Sequence, residues 1–316
     1  MKAARYFERR LVHSAALLIA ISALAFTISQ LAPGSFLDEM RLNPQISAQT
    51  LAGLRAQFGL DQPLPVRYFR WLKSVAVGDF GYSVAYNMPV KKLIWDRLGN
   101  TLLLGGAAMV LAWIVALPCG IWSAYKAHRW IDRIFVACST LLLGTPELAL
   151  ALLFMLIAAH LRNANSDAPT SQQAAASAVA EIWSPAVVLA LAAFPILFRH
   201  IRSAVNETWH SPFIQAARGH GIGNMRLLFR HSLPAAANPL ISLFGLSLAG
   251  LVSASFLVEV ITGWPGVGPL FLEAIYSRDF HLVMAVVMLF SVFLVIANLI
   301  ADLLLYAADP RMRAEC

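Results

Sequence analysis

Six apolar stretches decide most of what this chain can become. They cover residues 11–31, 101–125, 134–161, 183–198, 235–261 and 281–307. A helix needs about 20 apolar residues to cross the hydrocarbon of a bilayer, and all but the fourth stretch reach that length. The fourth holds Pro185 and Pro195, and is expected to begin before Trp183 or to continue past Arg199. Unpaired backbone amides cannot face lipid, so every crossing is predicted to be a helix. Composition agrees. The chain is 59% hydrophobic and 13% charged over 316 residues, whereas a soluble domain carries about 25% charged residues. So much apolar side chain does not fit inside one water-soluble core.

Residues 1–10, MKAARYFERR, carry four basic groups and one acid ahead of the first apolar stretch. A signal peptide would show an apolar region of about 7–15 residues and a small-x-small cleavage site. Residues 11–31 are longer and end in no clear site. The reading is therefore an uncleaved first transmembrane helix with a cytoplasmic N-terminus. Lys and Arg extend that orientation. The pieces assigned to the cytoplasm (1–10, 126–133, 199–230 and the tail) hold 14 of the 24 basic residues. Eight more lie in the 32–100 insertion, which is too long for the positive-inside rule to bind. The short outside loops keep only Arg162 and Arg278. The net charge of +7 thus serves topology, and nucleic-acid binding is set aside. Cys119, Cys138 and Cys316 show no metal spacing.

The expected division follows. Residues 1–31 are the cytoplasmic N-terminus and first span. Residues 32–100 form an ordered extracytoplasmic insertion with a helical piece at 66–75 and the segment GDFGYS at 78–83. Residues 101–309 are a five-helix core with a loop at 199–234, and 310–316 are a cytoplasmic tail. Pro118 and Gly120 suggest a bend in the second span, and GTPE (144–147) interrupts the third. Residues 162–183 look like a linker. The stretch 263–280 is a Gly/Pro-containing loop, re-entrant or surface-lying.

Between the fourth and fifth spans lies SPFIQAARGHGIGNMRLLFRHSLP (211–234), with three arginines, three glycines and no acid. Ser211 is a candidate helix cap and Pro212 suits the first helical position. Gly219, Gly221 and Gly223 break the helix, and Asn224 is a candidate cap for the next. The grammar is helix, tight turn, helix: a basic hairpin made to be touched by a cytoplasmic partner.

No catalytic pattern appears. The chain has no GxxxxGK[ST] loop, so it hydrolyses no ATP itself. It has no HExxH and no paired carboxylates at helical spacing. His220 and His231 lack a matching ligand set, so no metal site is assigned. Glu147 is the ionisable residue set deepest in an apolar run. An intramembrane carboxylate is costly and marks a candidate position on a translocation path; the alternative is a cap on a broken helix after Thr145 and Pro146. Asn298 and Asp302, one turn apart, suit helix-to-helix hydrogen bonding.

At 211–234 the residues resemble a known family. Transmembrane subunits of bacterial ATP-binding-cassette importers carry a loop of pattern Glu-Ala-Ala, three residues, Gly, nine residues, Ile, one residue, Leu-Pro. Here Gln215, Ala216 and Ala217 are followed by Gly221, His231, Leu233 and Pro234 at the same spacing. Gln stands for Glu and His for Ile. FGLDQPLPVRYFRWL (58–72), GDFGYS (78–83), WPGVGPL (264–270), SRDF (277–280) and ADLLLYAADPRMR (301–313) resemble the first permease of the peptide and nickel branch.

The resemblance implies an all-α integral membrane protein with the type I importer permease fold: six transmembrane helices and a cytoplasmic coupling helix. It implies that Gln215, Ala216, Ala217, Arg218, Gly221, His231, Leu233 and Pro234 form the ATPase-coupling loop, with Arg218 placed to pair with acidic groups on the partner. It implies a second homologous permease, two ATP-binding subunits that hold ATP and magnesium, and an extracytoplasmic substrate-binding protein. No cofactor is bound by this chain. The expected cargo is a di- or oligopeptide, with nickel, another small solute or an antimicrobial peptide as alternatives. The setting is the bacterial inner membrane with both termini cytoplasmic. A secondary transporter should show internal repeats, and an intramembrane enzyme a nucleophile or metal set at spanning depth; neither pattern is found.

Overall fold

The computed structural model describes residues 2–31, 53, 62–164 and 171–308. The expectations for most of the insertion before Gln62, for the centre of the 162–183 linker and for the tail after 308 lie outside these residues.

Twelve helices and one small hairpin follow in order among the described residues. They are α1 (Lys2–Leu31), α2 (Leu64–Ala76), the strands β1 (Tyr82–Ser83) and β2 (Met88–Pro89), α3 (Val90–Tyr125), α4 (Trp130–Gly144), α5 (Glu147–Ala164) and α6 (Ser171–Trp209). Then come α7 (Pro212–Gly219), α8 (Asn224–Leu227), a π-helical turn (Leu228–Ser232), α9 (Leu233–Ala235), α10 (Ala237–Thr262), α11 (Val267–Tyr276) and α12 (Phe280–Ala308).

Four of these are long and apolar enough to cross a membrane: Glu8–Leu31, Val90–Tyr125, Ile182–Trp209 and Phe280–Ala307. Two bent pairs complete six crossings if each counts as one span. Trp130–Gly144 and Glu147–Ile157 meet at 98°, and Ala237–Leu248 and Ser253–Thr262 at 45°. The sharp break falls on Thr145 and Pro146, where proline removes an amide donor and crowds the preceding turn. The second crossing starts earlier than its apolar run, because Val90, Leu93, Ile94 and Leu98 are buried and continue the helix downward from Thr101. Pro118 stays inside that helix. The fourth continues past Arg199 to Trp209, as its shortness required. Residues 267–276, expected as loop, are helical.

The chain packs as two compact units. One comprises Met1–Tyr6, Asn100–Pro265 and Phe293–Cys316; the other comprises Phe7–Gly99 and Gly266–Val292. In the first, α6 is the central post. Phe194, Leu197, Phe198, Ile201 and Val205 are buried against Ala112, Ala116 and Ala124 of α3. Alanines on the α3 face let the backbones approach. At Gly120 a Cβ would sit 2.7 Å from Ile201 Cγ2, so only glycine fits. A second cluster joins Leu104, Ala108 and Met109 to Leu150, Leu189, Leu251 and Val258. Trp113 Nε1 donates to Ser247 Oγ at 3.1 Å. At Gly245 a Cβ would run into Ala301, which marks a close α10–α12 crossing.

In the second unit α2 packs on α1 and α12. Phe26, Trp71, Met284 and Met288 are the buried centre, flanked by Tyr68, Leu72, Val75 and Phe280. The β1–β2 hairpin pairs Tyr82 with Pro89 and Ser83 with Met88. Carboxylates fasten it. Asp279 Oδ2 accepts from Ser83 Oγ at 2.6 Å and from the Ala85 amide at 3.2 Å. Its Oδ1 accepts from the Leu282 amide at 3.1 Å, capping α12. Tyr86 donates its hydroxyl to Glu273 on α11. Burial, and then the bond to Glu273, pushes the Tyr86 phenol up to about 12.

Candidate functional site

The 211–234 hairpin is built as its sequence suggests, with two changes at its caps. Pro212 opens α7, preceded by Ser211 in extended conformation. The Ser211 hydroxyl does not cap α7; it donates back to the Thr208 carbonyl at 2.6 Å. Gly223, not Asn224, takes the cap position before α8, and Asn224 becomes its first residue. Gly221 has φ 77°. A Cβ there would meet nothing within 4 Å, so the demand for glycine is conformational, not spatial.

Aliphatic side chains root the hairpin. Ile214, Leu227 and Leu228 are buried in the same cluster as Ile201 and Val205 of α6, with Ala217 and Leu233 packed beside them. Burying one such side chain is worth about 1.5–3 kcal/mol. Polar contacts refine the seat. Thr208 Oγ1 and Ser232 Oγ lie 2.9 Å apart. Gln215 Nε2 donates to the His210 carbonyl at 3.0 Å. The Arg218 guanidinium sits 4.9 Å from the centre of the Trp209 ring, and that ring stands at 74° to Tyr125 with ring centres 5.5 Å apart. Arg218 is thus oriented by an aromatic neighbour before any partner arrives. His231 lies half-buried in the π-helical turn and Pro234 is exposed on α9.

The outward surface is mixed. Gln215, Ala216, Arg218, Arg226 and Arg230 are exposed. So are Phe213, Met225 and Phe229, the last at 62%. Ala216 and Ala217 divide their roles: the first faces out with its small side chain, the second packs inward.

One cluster escaped the sequence reading. Asp132 lies among the basic residues of 126–133. It is buried, and its carboxylate accepts from Arg202 Nε at 2.8 Å, from the second Arg202 nitrogen at 2.9 Å and from the His128 amide at 2.8 Å. Ser123 also donates to it. The ends of α3, α4 and α6 are tied here, seven residues before Trp209. The available signal was a lone acid among three bases; spacing alone does not name its partner.

Glu147 begins α5, just past the 98° break, and is half-buried. Its Oε1 is shielded from solvent and has no hydrogen-bond partner among the described residues. The sequence reading also passed over Glu259, a fully buried glutamate in α10.

The fold defines a class. Chains of the inward-facing MetNI methionine ABC transporter superpose with a TM-score of 0.55 at 19% identity, covering 69% of this chain and 96% of that one. A chain of an amino acid ABC transporter crystallised with histidines gives 0.54 at 17%, covering 68% and 94%. The architecture is that of importer permeases. Sequence then places the chain within the class. Residues 116–314 match the binding-protein-dependent transport system inner membrane component, and residues 3–105 match the N-terminal component of such systems. The chain belongs to this family of inner-membrane components.

Relatives match end to end. The oligopeptide transport system permease AppB of Bacillus subtilis is 33% identical, over 98% of this chain and 99% of its own length. The glutathione transport system permease GsiC of Salmonella paratyphi A is 30% identical, over 98% of each. The nickel import permease NikB of Staphylococcus aureus is 27% identical, over 97% and 91%. The chain is therefore a transporter permease subunit of the peptide and nickel branch, and ATP hydrolysis belongs to separate ATPase subunits.

Proposed function

We propose that this permease forms half of a transmembrane pathway for di- or oligopeptides, and that the 211–234 hairpin docks in a groove of a partner ATPase. A second homologous permease supplies the other half, two ATP-binding subunits hold ATP and magnesium, and an extracytoplasmic binding protein delivers cargo. Both termini are cytoplasmic, and the loop 199–234 lies on that side. The division into residues 1–31, 32–100, 101–309 and 310–316 follows this topology. The peptide reading is supported by relatives named for oligopeptides and glutathione; nickel is the second reading, supported by NikB.

The observation that carries the docking proposal is the hairpin's two-sided construction. Ile214, Leu227 and Leu228 fix it to α6, while Phe213, Phe229 and the arginines stay unburied. A face held this firmly moves with its helix, which is what transmission between two access states needs. Gln215, Ala216, Ala217, Arg218, Gly221, His231, Leu233 and Pro234 make up the coupling loop. Replacing Gly221 by Asp strains the turn and spoils the face. The expected outcome is a protein that still inserts in the membrane but no longer supports ATP-driven uptake. Normal uptake by that variant would reject the docking role.

Glu147 is assigned to the pathway, where its shielded carboxylate meets the ammonium of a peptide cargo. The support is the unpartnered Oε1 at a broken span, since intramembrane carboxylates are kept for ions and substrates. Uptake of a labelled dipeptide should fall at least about tenfold in Glu147→Gln, the scale of one lost charge-assisted bond. Unchanged uptake makes Glu147 structural.

A further inference from the structure

α2 carries Arg67, Arg70 and Lys73 and no acidic residue. At three-residue steps the three cations form one stripe along the helix. Arg70 and Lys73 are exposed, and Arg67 is half-buried. None has an ion-pair partner among the described residues. Apolar side chains border the stripe in the open: Val66, Phe69 at 67% exposure and Val77 at 78%.

The other face of α2 fixes its depth. Trp71 and Tyr68 pack on Phe26 of α1. The Tyr68 hydroxyl lies 2.8 Å from Ser22 Oγ and donates to the Ile19 carbonyl at 3.3 Å. Ser22 stands nine residues before the end of α1 at Leu31, about 13 Å at 1.5 Å per residue. Met284 and Met288 of α12 belong to the same cluster. They lie four and eight residues inside Phe280, or about 6 and 12 Å. α1 and α12 are both long and apolar enough to cross the bilayer. A basic helix therefore sits level with the last 6–13 Å or so of two membrane helices. Amphipathic helices in the membrane interface lie about 5–10 Å into the boundary between headgroups and acyl chains.

From this depth, charge and exposed apolar rim, we infer that α2 lies in the membrane interface and binds anionic phospholipid headgroups. Arg70 and Lys73 hold the phosphates, and Phe69 enters the acyl layer beside them. An acidic protein partner would also satisfy the cations. It would have to reach below the ends of the spans, where lipid already stands, and it would leave Phe69 and Val77 without apolar company. The inference depends on neither the cargo nor the docking of the hairpin.

The test uses the assembled importer in two measurements. In the first, native mass spectrometry follows phosphatidylglycerol and phosphatidylethanolamine retained from mixed vesicles. The wild type should retain phosphatidylglycerol preferentially. Arg70→Gln with Lys73→Gln should lower that preference by roughly 25-fold, at about fivefold for each basic residue near an anionic surface. The second keeps the stripe and labels residue 69 with a nitroxide through Phe69→Cys, with Cys119, Cys138 and Cys316 replaced by alanine. Oxygen, which enters lipid, should relax the label more than a water-soluble nickel chelate does. An unchanged lipid preference in the double variant overturns the proposal. So does a label reached mainly by the chelate, or one protected by added substrate-binding protein instead of by lipid.

Discussion

The 211–234 hairpin and the 82–89 hairpin solve the same problem with opposite chemistry. Each is a short turn-bearing segment that must hold one shape. The first is anchored by Ile214, Leu227 and Leu228 and by weak polar contacts, and its arginines are left outward. The second is anchored by carboxylates: Asp279 takes three donors and Glu273 takes the Tyr86 hydroxyl. An apolar root leaves every charge available to a partner. A carboxylate clasp spends its charges internally and gives directional rigidity. The contrast separates a surface that presents charge from one that uses charge to stay shut.

The largest expected break is at the joint beside the first hairpin. Asp132→Ala leaves the partly exposed Arg202 guanidinium and the His128 amide without their carboxylate. Hydrogen bonds to a charged group are worth about 1.5–3 kcal/mol each, so a loss of about 3 kcal/mol is expected. Thermal unfolding of the purified permease should show it, with Arg202→Lys losing less. A variant as stable as wild type would mean that the ends of α3, α4 and α6 are not tied there. Next comes the clasp. Asp279→Asn keeps the shape, but an NH2 in place of Oδ2 accepts from neither Ser83 nor Ala85, an expected loss of about 2 kcal/mol. Limited proteolysis should then open the chain near 82–89 before any membrane helix. If the 211–234 hairpin is cut first, the ranking of the two anchors is reversed.

The smallest effect sharpens the clasp alone. Tyr86→Phe removes one hydroxyl and should cost about 1 kcal/mol. Its folded value is raised to about 12 from about 10 in an unfolded chain. The neutral phenol's contribution is therefore complete below about pH 10 and is lost as pH climbs from there through 12. Ultraviolet titration should show one tyrosine ionising near 12 that vanishes in Tyr86→Phe. A variant with the same late-titrating amplitude would move that role to another ring.

Much of this fold is legible along the chain because hydropathy and helix breakers act locally. Pro146 announces the 98° break, and Gly221 announces the turn. The two ends of the clasp, GDFGYS and SRDF, each stand out as segments. That they meet is not legible, since Ser83 and Asp279 are 196 positions apart. Asp132 was hidden differently: surrounded by bases, it reads as a surface charge until Arg202 arrives from another helix. The caps failed for a third reason. Ser211 turns its hydroxyl back to the Thr208 carbonyl of the preceding helix and makes no cap bond to α7.

The π-helical turn at Leu228–Ser232 carries a further consequence. It holds one residue more per turn than an α-helix would. One residue is about 100° of helical rotation, so the turn works as a phase shifter between α8 and α9. Without it, Leu227 and Leu228 could not face the α6 cluster while Leu233 and Ala236 also faced inward. Deleting one residue from 228–232 would thus let the segment close as ordinary α-helix with its flanks still in phase, whereas inserting one more would turn the preceding hairpin by about 100°. The length of this segment is itself information, read by the membrane core as an angle.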